Sequence, residues 1–325
     1  MAELIAQGQA DQPEGVAPST SSTPSTPSTP STPIGPRIAV LGTGIMGAGV
    51  ARSLRRAGFP VTVWNRSIDR AQPLAASGAL VATSVADAVR EADVVITTLF
   101  DVEAVLSVAQ QAVGAMRSDA VWVQAATVGL DGAERVAQLA ATHDVSTVEA
   151  MMLGTRGPAE TGRLVLLVAG DPALRERLGP VFAAISQKIV WAGETIGQST
   201  ALKLVCNAWI TTLTAAVGQS LALADGLGLD PNLFLEAIAD GPSDTPYAHV
   251  KGEAMLSAPG ETQFALDGAR KDLVLIEEAA TRAGIRASLV AAVRDLYDRS
   301  AAEGHGGEDI SAVIAGFRPG DPSAR

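Results

Sequence analysis

Arg37-Ile38-Ala39-Val40-Leu41-Gly42-Thr43-Gly44-Ile45-Met46-Gly47 is the stretch that decides the fold. Ile38 to Leu41 is a short apolar run ending in glycine, which reads as a buried parallel strand. Met46 to Ala57 reads as a helix closed by Gly58, and Val61-Thr62-Val63-Trp64 as a second strand. A complete G-x-G-x-x-G therefore sits between a strand and a helix, inside a βαβ unit of about 30 residues, the context that gives the pattern its meaning. Gly42 permits the tight turn, Gly44 lets backbone approach a pyrophosphate, and Gly47 lets the helix pack close to the strand. The helix start at Ile45 and Met46 offers free N–H groups and a positive dipole end to the phosphates.

The end of the second strand selects between nicotinamide cofactors. A site for NAD places a carboxylate there to accept the ribose 2′-OH. This chain reads Trp64-Asn65-Arg66-Ser67, with no carboxylate. Arg66 can pair with a 2′-phosphate, and Asn65 and Ser67 add neutral donors, so NADP(H) is expected.

Outward from this unit the alternation continues. Ile68 to Ser77 is expected as a helix and Ala79 to Ala82 as a third strand. Ser84, with Asp87 three residues on, caps a short helix. Asp93 to Leu99 and Ala120 to Gln124 read as the fourth and fifth strands, and Gly132 to His143 as a helix. Thr147 to Ala150, Leu164 to Ala169 and Ile189 to Ala192 look like further strands of the same sheet. Beyond Gly197 strand signals nearly vanish, and Ser199 to Leu227, Pro231 to Ala239, Ala269 to Ala283 and Ser288 to Ala302 all read as helices. The expected fold class is α/β: a Rossmann doubly wound parallel sheet over residues 37–195, then an all-helical domain over 196–325. Residues 18–33 contain only Pro, Ser and Thr, so 1–36 are expected as a tail without a core.

Composition excludes several functions. The 325 residues carry 24 basic and 35 acidic side chains, net −11, which disfavours nucleic acid and anionic lipid as partners. The single cysteine, Cys206, rules out an internal disulfide. His143, His249 and His305 lie far apart, so no metal site is expected. Residues 1–36 contain no Lys or Arg, which argues against a leader and for a cytoplasmic setting. Leu204 to Ala224 is a 21-residue run without charge. It carries Asn207, Thr211, Thr212, Thr214, Gln219 and Ser220, and reads as a buried helix of a soluble protein, not a membrane span.

With the fingerprint, Asn65-Arg66-Ser67 and a lysine at the start of that uncharged helix in view, the chain resembles the β-hydroxyacid dehydrogenase family over about residues 37–318. Four motifs carry the resemblance. The stretch from Ile38 to Leu54 matches closely. The family's D-A-P-V-S-G-G substrate loop reads here Glu149-Ala150-Met151-Met152-Leu153-Gly154-Thr155, with Leu153 in place of the serine that helps hold a substrate carboxylate. The G-x-G-x-x-x-K-x-x-x-N motif begins at Gly197 and keeps Lys203 and Asn207, with Ser199 at the second glycine. Lys271-Asp272-Leu273 matches the family's K-D-L.

The resemblance implies that Lys203 is the catalytic acid/base and that Asn207, four residues on, orients the substrate hydroxyl or the lysine. It places Lys271, Thr127, Leu99 and Phe100 along the cofactor, Asp272 as a helix-fixing neighbour, and Leu153, Gly154 and Thr155 at the substrate. Leu153 with Met151 and Met152 points to a more apolar pocket than the family's, unless the two methionines belong to the core, with Arg156 nearby as an anion contact. His305 is read as structural or pocket-lining. The expected activity is hydride transfer between NADP(H) and a small carbonyl or hydroxy compound of the semialdehyde or β-hydroxyacid type. A homodimer or homotetramer is implied. Imine reductases share the fold but commonly carry Asp or Tyr where Lys203 stands; a nucleotide-sensing scaffold is a third reading, and retention of Lys203 argues against both.

Overall fold

The computed structural model describes residues 35–318; the expected tail lies outside them except for Gly35 and Pro36. In chain order the elements are β1 (Ile38–Leu41), α1 (Ile45–Arg56), β2 (Val61–Trp64), α2 (Ile68–Ala71), β3 (Leu80–Val81), α3 (Val85–Val89), β4 (Val94–Thr97), α4 (Val102–Val113), β5 (Val121–Gln124) and α5 (Gly129–Thr142). Then come β6 (Ser146–Leu153), α6 (Arg156–Thr161), β7 (Leu164–Gly170), α7 (Arg175–Ile185) and β8 (Ser186–Gly193). The helical part follows: α8 (Gln198–Gly226), α9 (Asn232–Ile238), α10 (Pro246–Leu256), α11 (Leu266–Arg282) and α12 (Ser288–Ala302), ending in a 3-10 stretch, Ile310–Phe317.

The eight strands form one sheet in the order 3-2-1-4-5-6-7-8. Its first six strands are parallel and reverse direction of travel between β1 and β4, as in a dinucleotide-binding sheet. The β6–β7 pair is antiparallel, a departure from an all-parallel sheet. The chain between them is too short for a crossover of about a dozen residues, so it returns as a hairpin.

Successive strand residues face opposite sides of the sheet. Ile38, Val40, Val61, Val63, Val94 and Ile96 pack on one side against Val50, Leu54 and Phe182 of α1 and α7. Ala39, Leu41 and Val95 face α3 and α4 on the other, through Val85, Val89 and Val108. Two layers of helices thus cover a sheet of short apolar strands, which explains how a chain poor in aromatic residues fills its core.

Three helices, α4, α6 and α7, and α10 in the second half, are absent from the sequence reading. The cap of α4 is a plain signal in retrospect, since Asp101 accepts the Ala104 amide. The expected helix over 68–77 breaks after Ala71 into a 3-10 stretch, Gln72–Ser77, because Pro73 has no N–H to continue the α ladder. The Ser84 cap forms as read, accepting from the Asp87 amide.

The helix α8 is long and apolar enough to cross a bilayer by length and composition, with mean hydropathy 1.3 in its most apolar window. Here it packs against β6, β7, β8, α5, α10, α11 and α12. Two of its buried hydroxyls are satisfied within the helix, Thr211 donating to the Asn207 carbonyl and Thr214 to that of Ile210, both at 2.8 Å; Ser199 and Thr200, at its start, donate to Leu167 and Glu149 of the sheet.

Candidate active site

The glycine turn is built as its sequence requires. Gly42 has φ +100°, and a Cβ there would stand 2.4 Å from the Thr98 carbonyl oxygen. A Cβ at Gly47 would lie 2.0 Å from the Gly42 carbonyl oxygen. Gly44 is the opposite case: it is exposed, and a Cβ there would meet no atom within 4 Å. The space in front of Gly44 is where a dinucleotide phosphate approaches the backbone. The first turn of α1 carries no acidic residue and no side-chain cap, so the amides of Ile45, Met46 and Gly47 stay available. The residues present fit a dinucleotide.

Thr98 and Asn65 hold this turn. The Thr98 hydroxyl donates to the Gly42 carbonyl at 2.7 Å. Asn65 Oδ1 accepts the Thr43 amide at 3.1 Å while its Nδ2 donates to the Ser67 carbonyl at 3.0 Å. Asn65 is therefore a strut between the turn and the end of β2, which differs from the expected free donor. Arg66 and Ser67 are exposed beside it. Ser67 opens α2 without capping it, and Arg66 has no carboxylate within ion-pair distance among the described residues. Leu99 is half-buried at the end of β4 and Phe100 is exposed.

The second half of the site comes from α8 and α11. Lys203 Nζ, densely enclosed although the residue keeps some surface open, donates to the Met152 carbonyl at 2.7 Å. Burial holds its pKa below the ordinary lysine value of 10.5; Asp272 pulls it back up and Lys271 pushes it further down. Asn207 is buried, and its Nδ2 donates to Asp272 Oδ2 at 2.6 Å. The other oxygen of Asp272 accepts from Lys271 Nζ, also at 2.6 Å. Lys271 Nζ in turn donates to the Thr127 carbonyl at 2.8 Å and stands 5.7 Å from the Phe100 ring centre. A continuous chain thus runs from α8 through α11 to the loop after β5. It joins Asn207, Asp272, Lys271 and Thr127, with the Phe100 ring beside Lys271, and Lys203 lies one turn before Asn207 on the same helix.

The loop expected at the substrate leaves the carboxyl end of β6, the end of a parallel sheet at which ligands bind. Leu153 and Thr155 are half-buried and Gly154 is exposed with φ +130°. Met151 and Met152 are 0% and 6% exposed and belong to the protein core, so the expected apolar pocket loses both. Arg156 is tied across to the α10–α11 segment, by an ion pair with Glu261.

Sequence reasoning missed one functional group. Glu149 is fully buried, and Oε2 accepts the amides of Gly197 at 2.8 Å and Thr200 at 3.2 Å. Its Oε1 accepts the Thr200 hydroxyl at 2.6 Å. A carboxylate from β6 therefore caps α8, one turn ahead of Lys203. Burial raises its pKa despite these donors. The signal was a lone acidic residue inside the otherwise apolar buried stretch Val148–Met152 of this strand. His305 pairs its Nδ1 with Glu308 at 3.0 Å, and the described residues contain no cluster of metal-ligating side chains.

Comparison with known proteins agrees with this architecture in both halves. Residues 37–193 match the family model described as the NAD binding domain of 6-phosphogluconate dehydrogenase. Residues 197–317 match that of the NAD-binding region of NADP-dependent 3-hydroxyisobutyrate dehydrogenase. Glyoxylate/succinic semialdehyde reductase 2 of Arabidopsis thaliana is 31% identical over 86% of this chain and 79% of its own length. L-threonate dehydrogenase of Cupriavidus necator is 29% identical over 86% of this chain and 95% of its own. The structure of Mycobacterium tuberculosis 3-hydroxyisobutyrate dehydrogenase with L-serine superposes with a TM-score of 0.78 at 29% identity, covering 88% of this chain and all of that one. Fold, glycine cradle and the two matched halves together place this chain in the β-hydroxyacid dehydrogenase family of nicotinamide-dependent oxidoreductases.

Proposed function

We propose that this protein transfers hydride between NADP(H) and a small carbonyl or hydroxy compound of the semialdehyde or β-hydroxyacid type, with Lys203 as the general acid/base. The observation that carries the reading is a half-buried lysine beside the substrate loop, held at the Met152 carbonyl on the helix whose Asn207 is linked through Asp272 and Lys271 to Thr127. The bound nicotinamide supplies or accepts the hydride. Lys203 supplies the proton that the developing alkoxide needs, and as free amine it takes the hydroxyl proton in the reverse direction. Asn207, fixed by Asp272, is placed to orient the hydroxyl. Arg66 supports the phosphorylated cofactor because its guanidinium has no ion-pair partner among the described residues and no carboxylate stands at 64–67.

The test is NADPH oxidation at 340 nm with wild type and Lys203→Ala, over semialdehydes, keto acids, neutral aldehydes and cyclic imines. Removal of a positioned proton donor costs about 10²–10⁴ in kcat. Reduction needs the ammonium, so its rate falls as pH rises through the lowered lysine pKa; oxidation needs the amine and rises through the same value. Full activity in Lys203→Ala, or turnover of imines alone, refutes the reading.

We also propose that a second copy of the chain covers the outer face of α8. Val205, Trp209 and Leu223 are each about 60% exposed and share one side of the uncharged run 204–224 of this helix with Ala216 and Gln219. The stripe from Val205 to Leu223 spans about 27 Å.

A further inference from the structure

Gln124, the last residue of β5, is fully buried and paired in register with Thr97 of β4. Its side chain is committed to one corner of the fold. Oε1 accepts the Ala126 amide at 2.9 Å and the Thr97 hydroxyl at 3.0 Å, and Nε2 donates to the Ala126 carbonyl at 2.7 Å. The side-chain amide thus stands where the peptide of a neighbouring strand would, holding Ala126 by both its N–H and its C=O just past the end of β5. Trp122 sets the sense of this amide. Its indole N–H can only donate, and does so to Thr97 Oγ1 at 3.0 Å. The Thr97 hydroxyl therefore turns its own proton to Gln124 Oε1, which leaves Nε2 for the Ala126 carbonyl. No side-chain polar atom of this buried network lacks a partner, the condition under which such a network fixes one geometry.

The corner it holds joins the two halves of the site. Thr98, next to Thr97, donates its hydroxyl to the Gly42 carbonyl, and the Ala125 amide donates to the Thr97 carbonyl at 3.0 Å. Thr127, next to Ala126, accepts Lys271 Nζ. Because the strands run in the order 2-1-4-5, Arg66, the glycine turn, Thr98 and Ala126–Thr127 succeed one another along the carboxyl edge. On the reading above, a dinucleotide with its phosphorylated ribose at Arg66 and its pyrophosphate at the turn extends its other end towards the loops after β4 and β5.

We propose that Gln124 is a positioning residue for hydride transfer: through Ala126 it fixes the turn Ala125–Thr127 against which the nicotinamide lies, and through Thr127 it fixes Lys271. It touches neither substrate nor cofactor, and the inference rests on the functional reading above.

The experiment compares wild type with Gln124→Met and Gln124→Glu across pH, reading kcat, KM for NADPH, Tm and the emission of bound NADPH, which reports how the nicotinamide is enclosed. Gln124→Met keeps the length of the side chain and removes the bracket. It is expected to lose about 10- to 100-fold in kcat, the cost of a displacement of about an ångström, with KM for NADPH within about threefold because the phosphate contacts carry that affinity. Its bound-NADPH emission differs from wild type. Gln124→Glu regains the wild-type rate and emission while its carboxyl is protonated, since the acid donates to the Ala126 carbonyl as the amide did. It falls towards Gln124→Met as pH rises and the carboxylate sets two acceptors against each other. The ratio of variant to wild-type kcat removes the titration of Lys203 from this comparison. Thr97→Val, which cuts the amide loose from Trp122, loses kcat in the same sense, and Thr97→Ser, which keeps the hydroxyl, does not; this pair decides if Gln124→Met fails to fold. A residue that only holds the fold together lowers Tm and leaves kcat and emission of the folded protein unchanged. That outcome overturns the proposal, as does a Gln124→Glu variant as slow as Gln124→Met at every pH, or a Thr97→Val variant with wild-type kcat. If wild type turns over no carbonyl compound, the oxidoreductase reading fails separately and the emission series decides this one; no change in NADPH emission on mixing with wild type overturns both.

Discussion

Replacing Glu149 separates the strength of the α8 anchor from the chemistry proposed for Lys203. The Glu149→Ala variant strands three donors at the start of α8: the amides of Gly197 and Thr200 and the Thr200 hydroxyl. Each stranded donor costs about 1–3 kcal/mol. Part of the sum is returned, because the buried carboxylate was itself held at a cost, as its raised pKa records. The expected net loss is about 3–5 kcal/mol, or about 6–15 °C in Tm for a chain of this size. Glu149→Gln keeps one acceptor oxygen and is expected to lose about 1 kcal/mol. The sign of the pH dependence follows from the raised pKa. The folded chain holds this proton at pH values where the unfolded chain has released it. Its stabilising contribution is therefore complete below the ordinary value of 4.5 and is lost as pH rises through the folded value. The Tm difference between wild type and Glu149→Gln must move in favour of wild type as pH falls towards 4.5. Differential scanning calorimetry across pH reads all three quantities, and kcat measured below the melting range reads Lys203. A Glu149→Ala variant melting within 2 °C of wild type, or a pH trend of the opposite sign, refutes the account of the cap.

Arg66→Ala is expected to weaken NADPH about 10- to 100-fold and leave NADH within a few-fold, read by quenching of protein fluorescence. Gly44→Ala and Gly47→Ala should part company: the first meets no protein atom, so the fold persists and only dinucleotide affinity falls. The second drives a methyl into the Gly42 carbonyl and costs both, as a melting scan with and without NADPH will show. Trp209→Glu places a charge in the exposed stripe of α8, and light scattering after gel filtration should show a smaller species with activity per protomer retained.

The fold was legible where local rules decide it. The strand, glycine turn and helix from Ile38 to Arg56 are specified by spacing alone, and the long uncharged run announced α8. The misses have physical causes. Pro73 ended a helix that apolar spacing extended, and the short return after Leu153 forced an antiparallel pair that an alternating pattern cannot reveal. The site was legible as residue types, through Lys203, Asn207 and Lys271, but not as a circuit. No sequence rule says that Asn65 spends its amide on Thr43 and Ser67, or that Asp272 divides its two oxygens between Asn207 and Lys271.

That circuit gives the second half of the chain its part in the chemistry. A lysine on an uncharged helix face has no local reason to stay at one place, and burial alone disfavours its charged form. Two ties between β6 and α8 fix it. Glu149 holds the helix start at Thr200, and Lys203 reaches back to Met152, three residues further along both elements. The helical part is separately pinned to the nucleotide-binding part at Thr127 through Lys271. The amine proposed as the acid/base is thereby referred to one strand edge. A small rotation of the helical part would break hydrogen bonds before it displaced the amine. Catalytic geometry depends on positions held within about half an ångström, and here three ties hold the proposed acid/base: Glu149 to Thr200, Lys203 to Met152 and Lys271 to Thr127.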